Sequence, residues 1–117
     1  MYYLNSNYMK VQIHSIKFDA DEKLIKYINK KLEKLEKFYS KVTDVEVMLK
    51  LTNTNPDNKT VEVKVNVPGE QIFVKEKSST FEAATDTATD ILKRQLKKFK
   101  DKLTKPKKNP QKKGLSL

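Results

Sequence analysis

Apolar residues recur along this chain with two periods. Over 44–52 (DVEVMLKLT), Val45, Val47, Leu49 and Leu51 alternate with Glu46, Met48, Lys50 and Thr52. Over 59–67 (KTVEVKVNV), Val61, Val63, Val65 and Val67 repeat the pattern. Period two predicts strands with one buried face and one solvated face. The turn-forming NTNPDN separates the two runs, and Pro68-Gly69 leads into QIFVKEK (71–77), which completes a three-stranded meander. KVQIHSIKF (10–18) also starts as a strand, with Val11 and Ile13 set against Gln12 and His14. Its phase changes after Ser15, to Ile16 and Phe18, which predicts a bend or bulge there.

Two longer segments have helical period. Over 19–39, Leu24, Ile28, Leu32, Leu35 and Tyr39 form one stripe, and Asp19 with Glu22 has capping-box spacing. Over 78–103, the stripe is Phe81, Ala84, Ala88, Leu92, Leu96, Phe99 and Leu103. That helix is expected to start near Ser79 or Thr80, with Ser79 and Glu82 as its capping box. The order β-α-β-β-β-α predicts an α+β two-layer sandwich, two helices packed on one face of a four-stranded sheet. A helix joins the first strand to the second, which permits parallel pairing of those two. Residues 1–8 are expected to be a flexible extension, 9–103 the domain, and 104–117 (TKPKKNPQKKGLSL) a disordered basic tail.

Charge sharpens this picture. Residues 1–92 hold fourteen lysines and fourteen acids, while 93–113 hold eleven cations and one acid, so the whole net charge of +10 sits in the last helix and its tail. Such asymmetry points to a polyanionic partner. No apolar run reaches the roughly eighteen residues of a membrane span, and the first residues lack a secretory pattern. There is no Cys for disulfides or thiolate metal sites, a composition compatible with the cytoplasm. Two glycines cannot build a phosphate-binding glycine loop, and His14 is the only histidine. It is expected as an ordinary surface or partly buried side chain. The carboxylates stand beside lysines, as in solvated ion pairs. Neither enzymatic activity nor a cofactor, metal site or small-molecule substrate is expected.

The cations themselves are the candidate site. At about 100° per residue, Lys23, Lys30 and Lys34 share one flank of the first helical stripe, and Glu22, Glu33 and Glu36 share the other. On the second helix Lys93, Lys97 and Lys100 fall in an arc opposite the apolar stripe, with Arg94 and Lys98 along one flank. Each turn rises about 5.4 Å, comparable with phosphate spacing along a nucleic-acid strand. Arg94 is the only arginine, and many point charges with one planar fork suit backbone contacts better than base reading. Tyr27, Phe38, Tyr39, Phe81 and Phe99 lie on or beside the apolar stripes and are expected mostly in the core. Phe73 falls on the sheet face opposite Ile72 and Val74. A general binder of double-stranded nucleic acid would share these features. A membrane-surface role is disfavoured, because the apolar stripe is needed to cover the sheet.

From Met9 to Leu103 the chain resembles the ribosome hibernation-promoting factor family, also called ribosome-associated inhibitor or protein Y. The resemblance rests on MKVQIHSIKF, KKLEKLEKFY, the VPG turn and FEAATDTATDILKRQLKKFKDKL, in this order. It implies a bacterial, cytoplasmic protein that binds the small ribosomal subunit, through 16S-type ribosomal RNA, in the channel used by messenger and transfer RNA. There it would block translation and preserve idle ribosomes in stationary phase or under stress. The implied RNA-binding positions are Lys31, Lys34, Arg94, Lys98, Lys100 and, more loosely, Lys102. Of these, Lys31 lies nearer the apolar stripe than the helical geometry alone would select. Ile91 stands where many relatives carry lysine, and Glu82 where tyrosine is common. The length implies a short form without the second, dimerisation domain of longer relatives, leaving both pairing of ribosomes and its absence compatible.

Overall fold

The computed structural model describes residues 2–5, 9–52 and 56–104. The expected meander is present as β3 (Asp44–Leu51), β4 (Lys59–Val67) and β5 (Glu70–Ser78), preceded by β1 (Tyr2–Asn5) and β2 (Lys10–Ser15). The helices are α1 (Glu22–Glu33), continued by a 3-10 turn over Lys34–Lys37, and α2 (Phe81–Thr104).

The β-branched rows pair with one another across the sheet. Val45, Val47 and Leu49 stand opposite Val65, Val63 and Val61, and Val63 and Val65 stand opposite Val74 and Ile72. All are buried. Such cross-strand pairs are the stabilising unit of a sheet. The two-residue turn between Val67 and Glu70 is made by Pro68 and by Gly69, whose φ is +85°. A proline-fixed φ followed by a left-handed residue is the chemistry of a type II turn.

β2 lies parallel to β3, Val11 beside Val45 and Ile13 beside Val47, with α1 as the crossover. The bend expected after Ser15 spans Ile16–Phe18, and Lys17 turns it with a φ of +65°. Phe18 is thereby stacked on Phe81 at the start of α2, 5.3 Å between ring centres.

The strand order is β1-β2-β3-β4-β5. The four expected strands are joined by a fifth, because Tyr2–Asn5, expected to be flexible, pair antiparallel with β2. Met9 is buried in the core. The 104–117 tail lies outside the described residues apart from Thr104, which ends α2.

Both helices cover the valine face. α2 lies over β4 and β5, and α1 packs beside it. Leu24, Ile28, Leu32, Leu35, Tyr39, Phe81, Ala84, Ala88, Leu92 and Leu96 are buried as their stripes require.

Four expectations are corrected at element ends. Asp21, not Asp19, caps α1: its Oδ1 accepts from the Leu24 N–H at 2.8 Å, while the bend holds Asp19 and Ala20 outside the helix. Thr80, not Ser79, caps α2, its Oγ1 accepting from the Ala83 N–H at 3.0 Å. Leu51 is 50% exposed, because its register row (Leu51, Lys59, Ser78) lies at the sheet end from which both helices set out. Leu103 is 58% exposed, next to the last residue of α2.

Candidate nucleic-acid interface

The sheet places charge differently on its open face and on the helical layer. On the open face the glutamates engage cations across strands. Glu46 lies 3.1 Å from His14 Nε2, in a geometry not aligned for a hydrogen bond, and 3.7 Å from Lys64. Glu62 lies 3.1 Å from Lys50 and 3.9 Å from Lys75. His14 is half-buried, as expected of an ordinary side chain.

On the outer layer the two helices run in the same sense. Tyr27 and Lys31 meet Asp86, then Phe38 meets Lys93, then Tyr39 meets Phe99, with numbers rising together on both helices. The acidic start of α2 therefore lies beside the start of α1, and their lysine-rich ends are neighbours. Glu22, Glu82, Asp86 and Asp90 lie in one half of the layer with Lys23 and Lys26; Lys30, Lys34, Lys37, Lys93, Arg94, Lys97 and Lys98 lie in the other with Glu33, Glu36 and Asp101, so the cations outnumber the acids there. This order suits both helix dipoles, which favour acids near N-termini and cations near C-termini.

The ten cations singled out in the sequence divide into two groups. Lys23, Lys30, Lys34, Arg94, Lys97, Lys98, Lys100 and Lys102 are exposed. Among the described residues, none of these except Lys100 is held in an ion pair or other charge contact. Lys98 and Lys102 border a hollow of about 360 Å³ above Glu70 and Ile72 of β5. They therefore lie on the outer flank of α2, whereas Lys93 faces the 3-10 turn that continues α1.

Lys31 and Lys93 are half-buried and engaged. Lys31 Nζ lies 3.2 Å from Asp86 Oδ1 and 5.8 Å from the centre of the Tyr27 ring. The Tyr27 hydroxyl donates to that same oxygen at 2.6 Å. This bond, helped by burial and by the charges of Asp86 and Glu82, pushes the Tyr27 hydroxyl up to about 12. In return the Tyr27 hydroxyl, then Lys31, hold the Asp86 carboxyl below its ordinary value against the opposing effect of burial. The lysine nearest the apolar stripe thus forms a cross-helix clasp.

Sequence reasoning missed that clasp and the position of Phe38. The ring of Phe38 is 36% exposed beneath the Lys93 ammonium, while the adjacent Tyr39 is buried. The exposed cations of this layer can bind anions, and the Phe38 ring can stack on a planar group.

Residues 11–104 match the family described as Sigma 54 modulation protein / S30EA ribosomal protein. The Ribosome hibernation promotion factor of Deinococcus radiodurans is 34% identical over 96 residues, covering 80% of this chain and 50% of that protein. The chain thus spans half the length of that relative. The Ribosome hibernation promoting factor of Pseudomonas putida is 31% identical over 94 residues, covering 80% of this chain and 89% of its own length. Among solved structures, the Thermus thermophilus Protein Y N-terminal domain is similar at a TM-score of 0.66 and 26% identity, over 75% of this chain and 94% of that one. A ribosomal subunit interface protein from Coxiella burnetii shares the fold at a TM-score of 0.68 and 22% identity, over 77% and 96%.

Proposed function

The chain belongs to the Sigma 54 modulation protein / S30EA ribosomal protein family, and from that premise we propose that it is a non-enzymatic ribosome hibernation factor of the cytoplasm. It binds the small ribosomal subunit in the channel of messenger and transfer RNA and excludes transfer RNA by occupying the same volume. The ribosome-binding unit is the α+β domain over 9–103. The contacts are made to ribosomal RNA phosphates by Lys23, Lys30, Lys34, Arg94, Lys97, Lys98, Lys100 and Lys102, with Lys31 and Lys93 supporting them from within the layer.

One observation carries this reading: exposed cations from both helices share one layer, most of them without an ion pair among the described residues, while on the opposite sheet face Lys50, Lys64 and Lys75 are held by Glu46 and Glu62. Unpaired lysines exposed along two adjacent rods suit a folded polyanion better than a small ligand.

The test is competition on purified small subunits. The protein is expected to co-sediment with subunits and to be displaced by transfer RNA. Equal binding to naked duplex RNA, with no competition by transfer RNA, would instead support a general nucleic-acid binder acting by charge.

A further inference from the structure

We propose that Phe38 is a stacking site for one unpaired base of ribosomal RNA, with Lys93 as its partner. This rests on the RNA-facing layer assigned above and adds an uncharged contact to it. Phe38 and Tyr39 are consecutive aromatics at the end of the 3-10 turn, and they point opposite ways. Tyr39 is 8% exposed and packs edge-on against Phe99, 5.5 Å between ring centres. Phe38 is 36% exposed. Both backbone N–H groups donate to the Leu35 carbonyl, at 2.9 and 3.1 Å, so the turn that aims Phe38 outward is fixed before any partner arrives.

The surroundings of the ring select a nucleic-acid base. Lys93 reaches across from α2 and places its ammonium 5.4 Å from the ring centre. An aromatic face is electron-rich and attracts a cation there. Lys34 and Lys37, in the turn leading to Phe38, are exposed, as is Lys97, one turn beyond Lys93. An outward aromatic with a cation over its face and exposed lysines in the flanking turns combines the two elements of single-strand recognition, a π-face for the base and positive charge for the backbone. A membrane or apolar peptide would find a single exposed ring beneath the Lys93 ammonium, with exposed Lys34 and Lys37 in the turn before it. In the free protein the Lys93 ammonium covers the ring. In the complex the base takes its place over the ring, and the flexible lysine moves to the adjoining phosphate. The other outward phenylalanine among the described residues, Phe73, lies on the sheet face where its neighbours Lys64 and Lys75 are held by Glu46 and Glu62.

The chain has no tryptophan, so Phe38→Trp creates a single indole reporter at the site. The experiment measures binding of unsubstituted protein, Phe38→Leu, Phe38→Trp and Lys97→Ala to purified small ribosomal subunits across a salt series. Circular dichroism establishes that each variant is folded. Phe38→Leu is expected to bind about tenfold more weakly with an unchanged salt slope, because it removes stacking and no charge. Lys97→Ala should reduce the slope by about 1. Phe38→Trp should bind at least as well as the unsubstituted protein, and its indole emission should be quenched in the complex. Unchanged affinity of Phe38→Leu overturns the proposal, as does unquenched indole in bound Phe38→Trp, the result expected of contact with a ribosomal protein. Failure of the unsubstituted protein to bind subunits overturns this and the function above together, and the same sedimentation separates that failure from the others.

Discussion

Replacing Asp86 with Asn tests the cross-helix clasp. In the native protein one carboxylate oxygen accepts from the Tyr27 hydroxyl at 2.6 Å and lies 3.2 Å from Lys31 Nζ. Asn keeps the shape and removes the charge. A hydrogen bond to a charged partner contributes about 1.5–3 kcal/mol when shielded. The Asp86 side chain is 46% exposed, so water and salt screen it, leaving roughly 1 kcal/mol. For a domain of this size that lowers Tm by about 4 °C. The ionisation of Tyr27 gives an independent readout. Its hydroxyl is raised from 10.0 to about 12, so its contribution to stability is fully present below pH 10 and is lost as pH rises toward 12. Asp86 is shifted the other way. Its contribution is present above the ordinary carboxylate value of 3.8 and is lost as pH falls through the lower folded value. Tyrosinate absorbance at 295 nm should show one transition near pH 12 in the native protein, moved down toward 10 in Asp86→Asn. A cycle with Tyr27→Phe should return a coupling of roughly 1 kcal/mol. A late tyrosine that persists without the Asp86 charge, or a coupling indistinguishable from zero, would refute the clasp.

Leu32 and Leu96 are fully buried on the two helices, and either one changed to Ala should lower unfolding free energy by about 2–5 kcal/mol in a urea titration. Gly69→Ala meets nothing within 4 Å but must adopt a φ of +85°, so it should cost about 1–2 kcal/mol of backbone strain by the same measurement, with the fold retained. Changing Arg94, Lys97, Lys98 and Lys100 together to Ala should leave the circular dichroism spectrum intact. It should weaken small-subunit binding and cut the salt slope by up to about 3 to 4, as four lost phosphate contacts require.

The parts of the fold legible in the sequence are those where a single periodicity dominates. The valine alternation of β3 and β4 admits one burial pattern, and the helical stripes are buried as far as Tyr39 and Leu96, because each has one sheet to cover, before the second opens at Phe99 and Leu103. Element ends were less legible. Asp19 and Asp21 are chemically equivalent caps, and only the bend, turned by Lys17 at positive φ, decides between them. The strand over Tyr2–Asn5 escaped because the short YYLN run has no alternation to read. At the site, the exposed lysines followed from helical geometry, whereas the two engaged ones depended on how the helices lie side by side. Lys31 finds Asp86 55 positions later in the chain, and Lys93 finds Phe38 55 positions earlier. Spacing along one element carries no record of such pairs.

The parallel run of the helices explains how a domain can concentrate cations without a large folding penalty. Had the helices run antiparallel, the acidic first half of α2 would have stood beside the lysine-rich end of α1 and offset part of its charge. Running together, they stack basic end beside basic end, and each end is the negative pole of its own helix dipole. Asp86 meanwhile clasps α1 through Tyr27 and Lys31, two turns before the cations of α2 begin at Lys93. Most of the exposed cations thus lie beyond the polar clasp on the same two rods. Cutting the clasp should therefore disturb stability more than the salt slope, and stripping the basic half should do the reverse. Two variants whose effects fell in the same column would show that the halves are not separable.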